Sequence, residues 1–134
     1  MSDKKKLRIL IADDELHIRK MLNMTMVSMG AEIVGEATNG KEAVELFRKT
    51  RPHIMLLDVN MPLMTGDEVL LEIKSEFPDA FIIMMTSVAH SETVQKCIDA
   101  GAATYILKDT PLAEMKSMIA ETWKEFRAAK KSSV

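Results

Sequence analysis

Short apolar runs alternate with longer amphipathic segments along nearly the whole chain. By their length and branched side chains, five short runs are predicted to be β-strands: 7–12, 32–37, 54–57, 81–86 and 104–107. Each is followed by apolar residues at helical spacing, which predicts five helices. The buried faces of these helices are expected to include Ile18 and Leu22, Val44 and Phe47, Val69 and Ile73, Val94 and Cys97, and Met115 and Ile119.

Residues typical of helix ends support these boundaries. Asn39 with Glu42, and Thr65 with Glu68, have the spacing of an N-cap followed by a glutamate at the third helical position. Gly30 follows the last apolar residue of the first helix, where glycine commonly closes a helix. The second and third helices are therefore predicted to begin near residues 40 and 66, and the first to end near residue 29.

The polarity of the strands predicts how they are arranged. Runs 7–12, 54–57 and 81–86 have almost no polar face, which is typical of parallel strands covered by helices on both sides, whereas 32–37 is polar enough for a sheet edge. Right-handed connections then favour a three-layer, doubly wound α/β domain. We expect one domain over residues 1–134, with its core at about 7–127 and a short basic tail at 128–134, of which the last five residues, KKSSV, are expected to be loose.

Composition narrows the class of protein further. The chain has 134 residues, 47% of them hydrophobic, and a net charge of −2, so nothing favours a nucleic-acid or membrane partner. The single cysteine, Cys97, excludes an internal disulfide, and no signal peptide or membrane span is recognisable, which predicts a cytoplasmic protein. His17, His53 and His90 are scattered among a helix, a pre-strand segment and a loop, so a histidine metal site is not expected.

Charged and hydroxyl side chains follow four of the five predicted strands. The first ends on Asp13 and Asp14, the third on Asp58, the fourth on Thr86 and the fifth on Lys108. Any one of these alone would be an ordinary helix cap or solvated side chain. The carboxyl ends of parallel strands meet at one edge of the sheet, however, so all five residues are expected to lie together.

Three crowded carboxylates repel one another, and a divalent cation relieves that repulsion. Oxygen ligands without histidine or cysteine favour Mg²⁺, with Mn²⁺ as a substitute. Lys108 adds a second cation, and a carboxylate in such a site can form an aspartyl phosphate. No glycine-rich phosphate loop is present, so the chain is not expected to hold ATP itself.

Five segments in this order resemble the receiver domain of response regulators in bacterial two-component signalling: ILIADDE (9–15), EATNGKEAVE (36–45), LLDVNMPLMTG (56–66), MMTS (84–87) and AGAATYILK (100–108). The resemblance extends from about residue 7 to 126. It implies a flavodoxin-like (βα)5 fold with a parallel five-stranded sheet in the order 2-1-3-4-5. Because no DNA-binding or catalytic output domain is recognisable in the sequence, a stand-alone receiver is expected.

The resemblance assigns roles to the acidic residues. Asp58 matches the phosphoacceptor, and Asp13 and Asp14 match the acidic pair that holds Mg²⁺, with Asp14 the more direct ligand. The backbone carbonyl of Asn60, together with Asp58, would complete the protein's share of the metal shell.

Other matched positions concern the phosphoryl group and the switch. Thr86 matches the hydroxyl that moves to the phosphoryl group, and Lys108 matches its ion-pair partner. Tyr105 matches the aromatic residue whose rotamer follows Thr86. Pro62 and Gly66 match residues that shape the loop after the acceptor.

The family's mechanism implies that Asp58 receives a phosphoryl group from the phosphohistidine of a sensor histidine kinase or a histidine phosphotransfer protein. The added charge would change the face made by helix 4, strand 5 and helix 5, and attack by water would reset the switch. The output would be binding of a downstream protein or a phosphorelay, by a monomer or by a dimer formed on phosphorylation.

Four residues depart from the family's pattern or vary within it. Asp109 replaces the proline that often follows the lysine, so the Lys108–Asp109 bond is expected to be trans. Ser87 is larger than the usual alanine or glycine, and Asn60 and Val88 occupy positions that tune dephosphorylation. The lifetime of the phosphate is therefore left open by the sequence.

Two other functions would explain part of the pattern. A Mg²⁺-dependent phosphohydrolase with an aspartate nucleophile would place a second acid where Asn60 stands and would need a cap or insertion around its substrate. A flavodoxin-like cofactor binder would leave the acidic cluster unexplained, and one Trp and one Tyr offer little surface to stack a flavin. The signalling switch is therefore the favoured interpretation.

Overall fold

The computed structural model describes residues 6–89 and 91–132, and it confirms the predicted alternation of strands and helices. The predicted boundaries differ from the observed ones by one or two residues at most ends, as is usual where helices and strands fray. The elements are β1 Arg8–Ala12, α1 Leu16–Ser28, β2 Glu32–Ala37, α2 Gly40–Thr50, β3 Ile54–Asp58, α3 Gly66–Glu76, β4 Ile82–Thr86, α4 Glu92–Asp99, β5 Thr104–Leu107 and α5 Leu112–Ser132.

The five strands form one parallel sheet in the order β2-β1-β3-β4-β5, as the resemblance implied. Its register determines which residues meet at the carboxyl edge. Ala12 pairs with Leu57, so the residues that follow them, Asp13 and Asp58, are neighbours. Thr86 pairs with Leu107, which places Lys108 beside the end of β4.

Helices cover both faces of the sheet, so the protein has the three layers predicted. Alternate residues of each central strand enter two separate hydrophobic clusters because successive strand side chains point to opposite faces. In β1, for example, Leu10 belongs to the cluster that includes side chains of α2, α3 and α4, whereas Ile11 belongs to the cluster that includes side chains of α1 and α5. All five residues of β3 and of β4 are buried, which explains why those strands carry no polar face.

The helix-end signals have the predicted effect. The side chain of Asn39 accepts the backbone N–H of Glu42 at 2.8 Å, although the Glu42 carboxylate turns to the N–H of Thr38. Glu68 accepts the backbone N–H of Thr65 at 2.9 Å in a capping box. Gly30 follows α1 with a φ of 88°, a left-handed conformation that glycine adopts without strain.

The last helix is longer than expected. Residues 130–134 are expected to be a loose tail, but α5 continues to Ser132, so this expectation is wrong for 130–132; residues 133 and 134 lie outside the described residues. Alanine and lysine are good helix formers, and no glycine or proline follows Phe126 to end the helix. Despite their lengths, neither α5 nor the other described helices have a stretch apolar enough to span a membrane.

At the amino edge of the sheet, polar groups are satisfied by backbone partners. The guanidinium of Arg8 donates hydrogen bonds to the carbonyls of Thr50 and Arg51, at 2.6 and 2.9 Å. These carbonyls belong to the end of α2, where helix carbonyls lack partners within the helix. The backbone N–H of Arg8 also donates to Nδ1 of His53 at 2.9 Å. Arg8 therefore joins β1 to the end of α2.

An aromatic cluster packs beside this amino edge. The ring of Phe81 lies 5.2 Å from that of Trp123 and 4.8 Å from that of Phe126, between ring centroids. Trp123 and Phe126 stack on each other along α5, and His53 approaches Trp123 at 6.2 Å. The cluster attaches the middle of α5 to the start of β4, at the edge opposite the acidic residues.

Candidate functional site

Asp13, Asp58 and Lys108 meet at the carboxyl edge of the sheet. The Lys108 ammonium lies 2.8 Å from Oδ2 of Asp13 and 3.1 Å from Oδ1 of Asp58. Both aspartates are buried, with 1% and 3% of their surface exposed, respectively. The strand register produces this arrangement, because each residue directly follows or ends a strand of the same parallel sheet. The predicted meeting of these three side chains is therefore observed.

The site also has the donor atoms of a divalent metal centre. Asp13, Asp14 and Asp58 each offer a carboxylate oxygen, and these oxygens all lie within 4.8 Å of one another. Oδ2 of Asp13 is buried and accepts no hydrogen bond of good geometry, despite the nearby ammonium. An all-oxygen set with an unsatisfied buried oxygen suits Mg²⁺. Asp14 is exposed, so a metal bound there would keep access to water and phosphate.

Burial and charge change the acidity of the acceptor. Burial, and after it the negative charge of Asp13, raise the pKa of Asp58 from 3.8 to about 6, although Lys108 and the Asn60 N–H offset part of the rise. The backbone N–H of Asn60 also donates to Asp58 Oδ1 at 3.2 Å. Burial alone would lower the pKa of Lys108, but contact with Asp13 and the charge of Asp58 raise it above its usual value. Lys108 is therefore a permanent cation in the site.

Asp13 is fixed by neighbours that the sequence interpretation missed. Its Oδ1 accepts the backbone N–H of Glu15 at 2.8 Å, and its carbonyl accepts the Arg19 guanidinium at 2.8 Å. Arg19 in turn pairs with Glu36 of β2 at 3.3 Å. The sequence offered only a weak signal for Arg19, a basic residue one helical turn after an acidic strand end.

Glu15 is a second missed residue. Its Oε1 accepts a hydrogen bond from the Lys108 ammonium at 3.3 Å, although the two residues are 93 positions apart. The acidic run Asp13-Asp14-Glu15 was the available signal, but it did not distinguish which of its members would reach the lysine.

Thr86 and Tyr105 lie on adjacent strands and the same face of the sheet. Tyr105 pairs with Met84, two residues before Thr86. The buried Thr86 hydroxyl accepts the N–H of Val88 and approaches its carbonyl, both at 3.1 Å. Tyr105 is half-buried and borders a pocket against α4. The two residues therefore share one face of the sheet, and their roles as a switch stay a prediction.

The loop after the acceptor is held by close backbone contacts. The Pro62 carbonyl accepts the N–H of Gly40 at 3.1 Å, which joins this loop to the start of α2. The N–H of Gly66 donates to the carbonyl of Val59 at 2.8 Å. A Cβ atom at Gly66 would overlap the carbonyl oxygen of Asp58 and lie 2.8 Å from Cα of Val59. Glycine is therefore needed for α3 to begin so close to the acceptor.

A further prediction can be compared with the structure. The Lys108–Asp109 bond is trans, as expected for a bond that does not precede proline. His90 lies outside the described residues, so the prediction about a histidine metal site stays a prediction.

The fold and the site define a class: a doubly wound α/β domain with an acidic, lysine-containing centre at the carboxyl edge of its sheet. A family model described as "Response regulator receiver domain" matches residues 9–120. The chain therefore belongs to the response-regulator receiver domains of two-component systems.

Individual relatives agree with this family. The chain is 40% identical over 101 residues to the chemotaxis protein CheY of Thermotoga maritima, covering 75% of this chain and 84% of that protein. It is 37% identical over 120 residues to the transcriptional regulatory protein PdtaR of Mycobacterium tuberculosis, covering 90% of this chain and 58% of PdtaR. Receiver domains thus occur both in short relatives and as parts of longer ones.

Solved structures show the same fold. A CheY-like receiver domain protein from Methanospirillum hungatei superposes with a TM-score of 0.86 at 26% identity, covering 93% of this chain and 99% of that one. A chain of the CheX–CheY–BeF3–Mg²⁺ complex from Borrelia burgdorferi gives a TM-score of 0.83 at 28% identity, covering 87% and 89%.

Proposed function

We propose that this receiver domain is a phosphorylation-activated switch whose acceptor is Asp58. The phosphoryl group comes from the phosphohistidine of a sensor histidine kinase or a histidine phosphotransfer protein. The observation that carries the proposal is the Lys108 ammonium, 3.1 Å from Asp58 and 2.8 Å from Asp13, beside a cluster of three carboxylates. The protein then catalyses only its own phosphorylation and dephosphorylation.

The residues present fit a magnesium ion held by Asp13, Asp14 and Asp58, with the Asn60 carbonyl as a further ligand. When bound, the ion supplies positive charge that stabilises the phosphoryl oxygens during transfer. Asp58 must be ionised to react, and a pKa of about 6 leaves it mostly ionised at neutral pH. The Asn60 N–H and the loop anchored by Gly66 orient its carboxylate.

The transfer itself is a substitution at phosphorus. A carboxylate oxygen of Asp58 forms the new P–O bond while the P–N bond to the donor imidazole breaks, and the bonding electron pair returns to the imidazole nitrogen. Lys108 stabilises the negative charge on the phosphoryl oxygens throughout. Hydrolysis of the resulting acyl phosphate by water restores the carboxylate.

Phosphorylation then changes the contacts of Thr86. The acyl phosphate offers its hydroxyl a charged acceptor, so Thr86 leaves Val88 and turns to the phosphoryl group. Tyr105 moves into the space that Thr86 vacates. This shifts the face formed by α4, β5 and α5, which binds a downstream protein or passes the phosphate along a relay.

The acceptor assignment is tested with a small phosphodonor. The wild-type protein, Asp58→Asn and the matched control Asp99→Asn are incubated with radiolabelled acetyl phosphate and Mg²⁺ or Mn²⁺. Asp99 is an exposed residue at the end of α4, far along the chain from the acidic cluster. The wild type and the control are expected to gain a hydroxylamine-labile label that a chelator prevents.

Asp58→Asn is expected to gain no label. Undiminished labelling of Asp58→Asn would show that another residue is the acceptor. Sustained hydrolysis of an external phosphate ester would instead support the phosphohydrolase interpretation.

A further inference from the structure

Glu15 begins α1 but does not cap it. It occupies the N-cap position, where a short side chain usually accepts a backbone N–H of the first helical turn. Its side chain makes no such hydrogen bond. The carboxylate instead extends across the site and accepts a hydrogen bond from Lys108, at the end of β5.

Glu15 is the most exposed of the three carboxylates that contact the Lys108 ammonium. Three carboxylates surround the ammonium: Asp13 at 2.8 Å, Asp58 at 3.1 Å and Glu15 at 3.3 Å. Glu15 accepts a hydrogen bond from the ammonium at 3.3 Å, in addition to the shorter contacts that the ammonium makes with the two buried aspartates. Glu15 therefore draws one of the Lys108 donors toward the rim of the site.

The Glu15 contact is also the easiest of the three to release. An ammonium has three N–H donors, and three carboxylates already surround it, so a phosphoryl oxygen must compete for one of them. The Glu15 side chain is 49% exposed, whereas those of Asp13 and Asp58 are 1% and 4% exposed. Glu15 can thus return to water at little cost, and it lies outside the group of oxygens that could share a metal.

We infer that Glu15 is a positioning residue that holds Lys108 in the unphosphorylated arrangement and opposes the phosphorylated one. The inference rests on the proposed function, because it concerns the competition between Glu15 and a phosphoryl group on Asp58. When that group forms, its oxygens compete with Glu15 for the same ammonium, and the two negative groups repel each other. Glu15 then lowers the affinity of the site for a phosphoryl group.

The competition is measured with beryllofluoride, which stands in for the phosphoryl group on an aspartate. Wild type, Glu15→Gln, Glu15→Asp and the control Glu45→Gln are titrated with it in Mg²⁺, using the backbone amide shift of Tyr105. Glu45 is an exposed residue of α2. Glu15→Gln is expected to bind roughly 1.5- to 5-fold more tightly, the range for a half-exposed ion pair, and Glu45→Gln to match the wild type.

Glu15→Asp distinguishes the effect of the hydrogen bond to Lys108 from the effect of the negative charge at position 15. Aspartate keeps the negative charge but is one carbon shorter, and at an N-cap it folds back onto its own helix, so it loses Lys108. We expect Glu15→Asp to bind more tightly than the wild type, as Glu15→Gln does. If Glu15→Asp equals the wild type, general charge repulsion explains the effect and the positioning role is wrong.

A second measurement needs no metal. The unfolding equilibrium constants of wild type, Glu15→Gln, Lys108→Met and the double variant are compared in a chelator. Glu15→Gln is expected to change the constant by roughly 1.5- to 5-fold when Lys108 is present and to leave it unchanged in Lys108→Met. The same change in both backgrounds would overturn the inference.

The two proposals fail in different ways. If the wild type does not respond to beryllofluoride and Mg²⁺, the proposed function is wrong and the inference falls with it. If the wild type responds and both Glu15 variants equal it, only the positioning role is wrong.

Discussion

The carboxyl edge and the amino edge of the sheet are formed by opposite ends of the same strands, and they are built in opposite ways. At the carboxyl edge, Asp13, Asp58 and Lys108 pack charge against charge, and one buried carboxylate oxygen lacks a well-directed hydrogen bond. At the amino edge, aromatic rings pack together, and the Arg8 guanidinium donates hydrogen bonds to the carbonyls at the end of α2. The carboxyl edge thus presents charged groups that can bind a cation, whereas the side chains of the amino edge pair with one another or with the backbone.

This difference implies that the amino edge mainly stabilises the fold, whereas the carboxyl edge holds the groups that are proposed to react. Burying aromatic rings stabilises the fold, whereas burying like charges costs free energy unless a cation offsets it. Burial, and after it the negative charge of Asp13, raise the pKa of Asp58, which reflects that cost. Substitutions at the amino edge should therefore change stability without changing phosphorylation, and those at the carboxyl edge should change both.

The largest effect is expected from Phe81→Ala at the amino edge. Phe81 is 3% exposed and contacts both Trp123 and Phe126, so its loss leaves a cavity. We expect the free energy of unfolding to fall by about 3–4 kcal/mol, measured by urea denaturation with circular dichroism. The control Leu71→Ala removes a side chain from a residue that is 58% exposed and should cost less than about 0.5 kcal/mol.

Phe81→Ala should be labelled by acetyl phosphate at the wild-type rate at a temperature where it remains folded. A fall in this rate of tenfold or more would show that the two edges are not independent.

The next effect has the opposite sign. Asp58→Asn should stabilise the metal-free protein at pH 7.5 by roughly 2–3 kcal/mol, because it removes a buried charge whose pKa is raised from 3.8 to about 6. The folded protein binds the Asp58 proton more tightly than the unfolded chain does. Protonation of Asp58 therefore stabilises the folded wild type fully below pH 3.8, and this stabilisation is lost as the pH rises through 6.

The advantage of Asp58→Asn should thus shrink toward zero near pH 4. Urea denaturation of both proteins across pH 4–8 in a chelator measures it, and Mg²⁺ should reduce it by stabilising only the wild type. If the difference in unfolding free energy between the two proteins does not depend on pH, folding does not raise the pKa of Asp58.

The smallest effect is expected from Arg8→Met. Methionine keeps an unbranched apolar stem at this position but cannot donate the hydrogen bonds that Arg8 makes to Thr50 and Arg51. We expect a loss of about 1 kcal/mol, because these partly exposed carbonyls can bind water instead. Hydrogen exchange should quicken in the last turn of α2, and Arg127→Met, on exposed α5 surface, should leave it unchanged. Unchanged exchange in Arg8→Met would show that Arg8 does not support this helix end.

Much of this arrangement could be predicted from the sequence because strand ends are visible as changes from apolar to charged residues. Once the strands are parallel, Asp13, Asp58 and Lys108 must share an edge. Glu15 and Arg19 could not be assigned in this way, since their contacts depend on how far flexible side chains reach after the helices have packed. The length of α5 was missed for a different reason, because a charged, alanine-containing end is equally typical of a helix and of a tail.

Trp123 is the only tryptophan in the chain, and it lies in the aromatic cluster at the amino edge. Its fluorescence therefore comes from one known position, on the far side of the sheet from Asp58. A shift of its emission to longer wavelength would mark the loss of that cluster, whereas amide signals near Tyr105 would mark events at the carboxyl edge. The protein thus carries an intrinsic optical probe of its folded state, and no dye is needed to distinguish an unfolded variant from one that is folded but inactive.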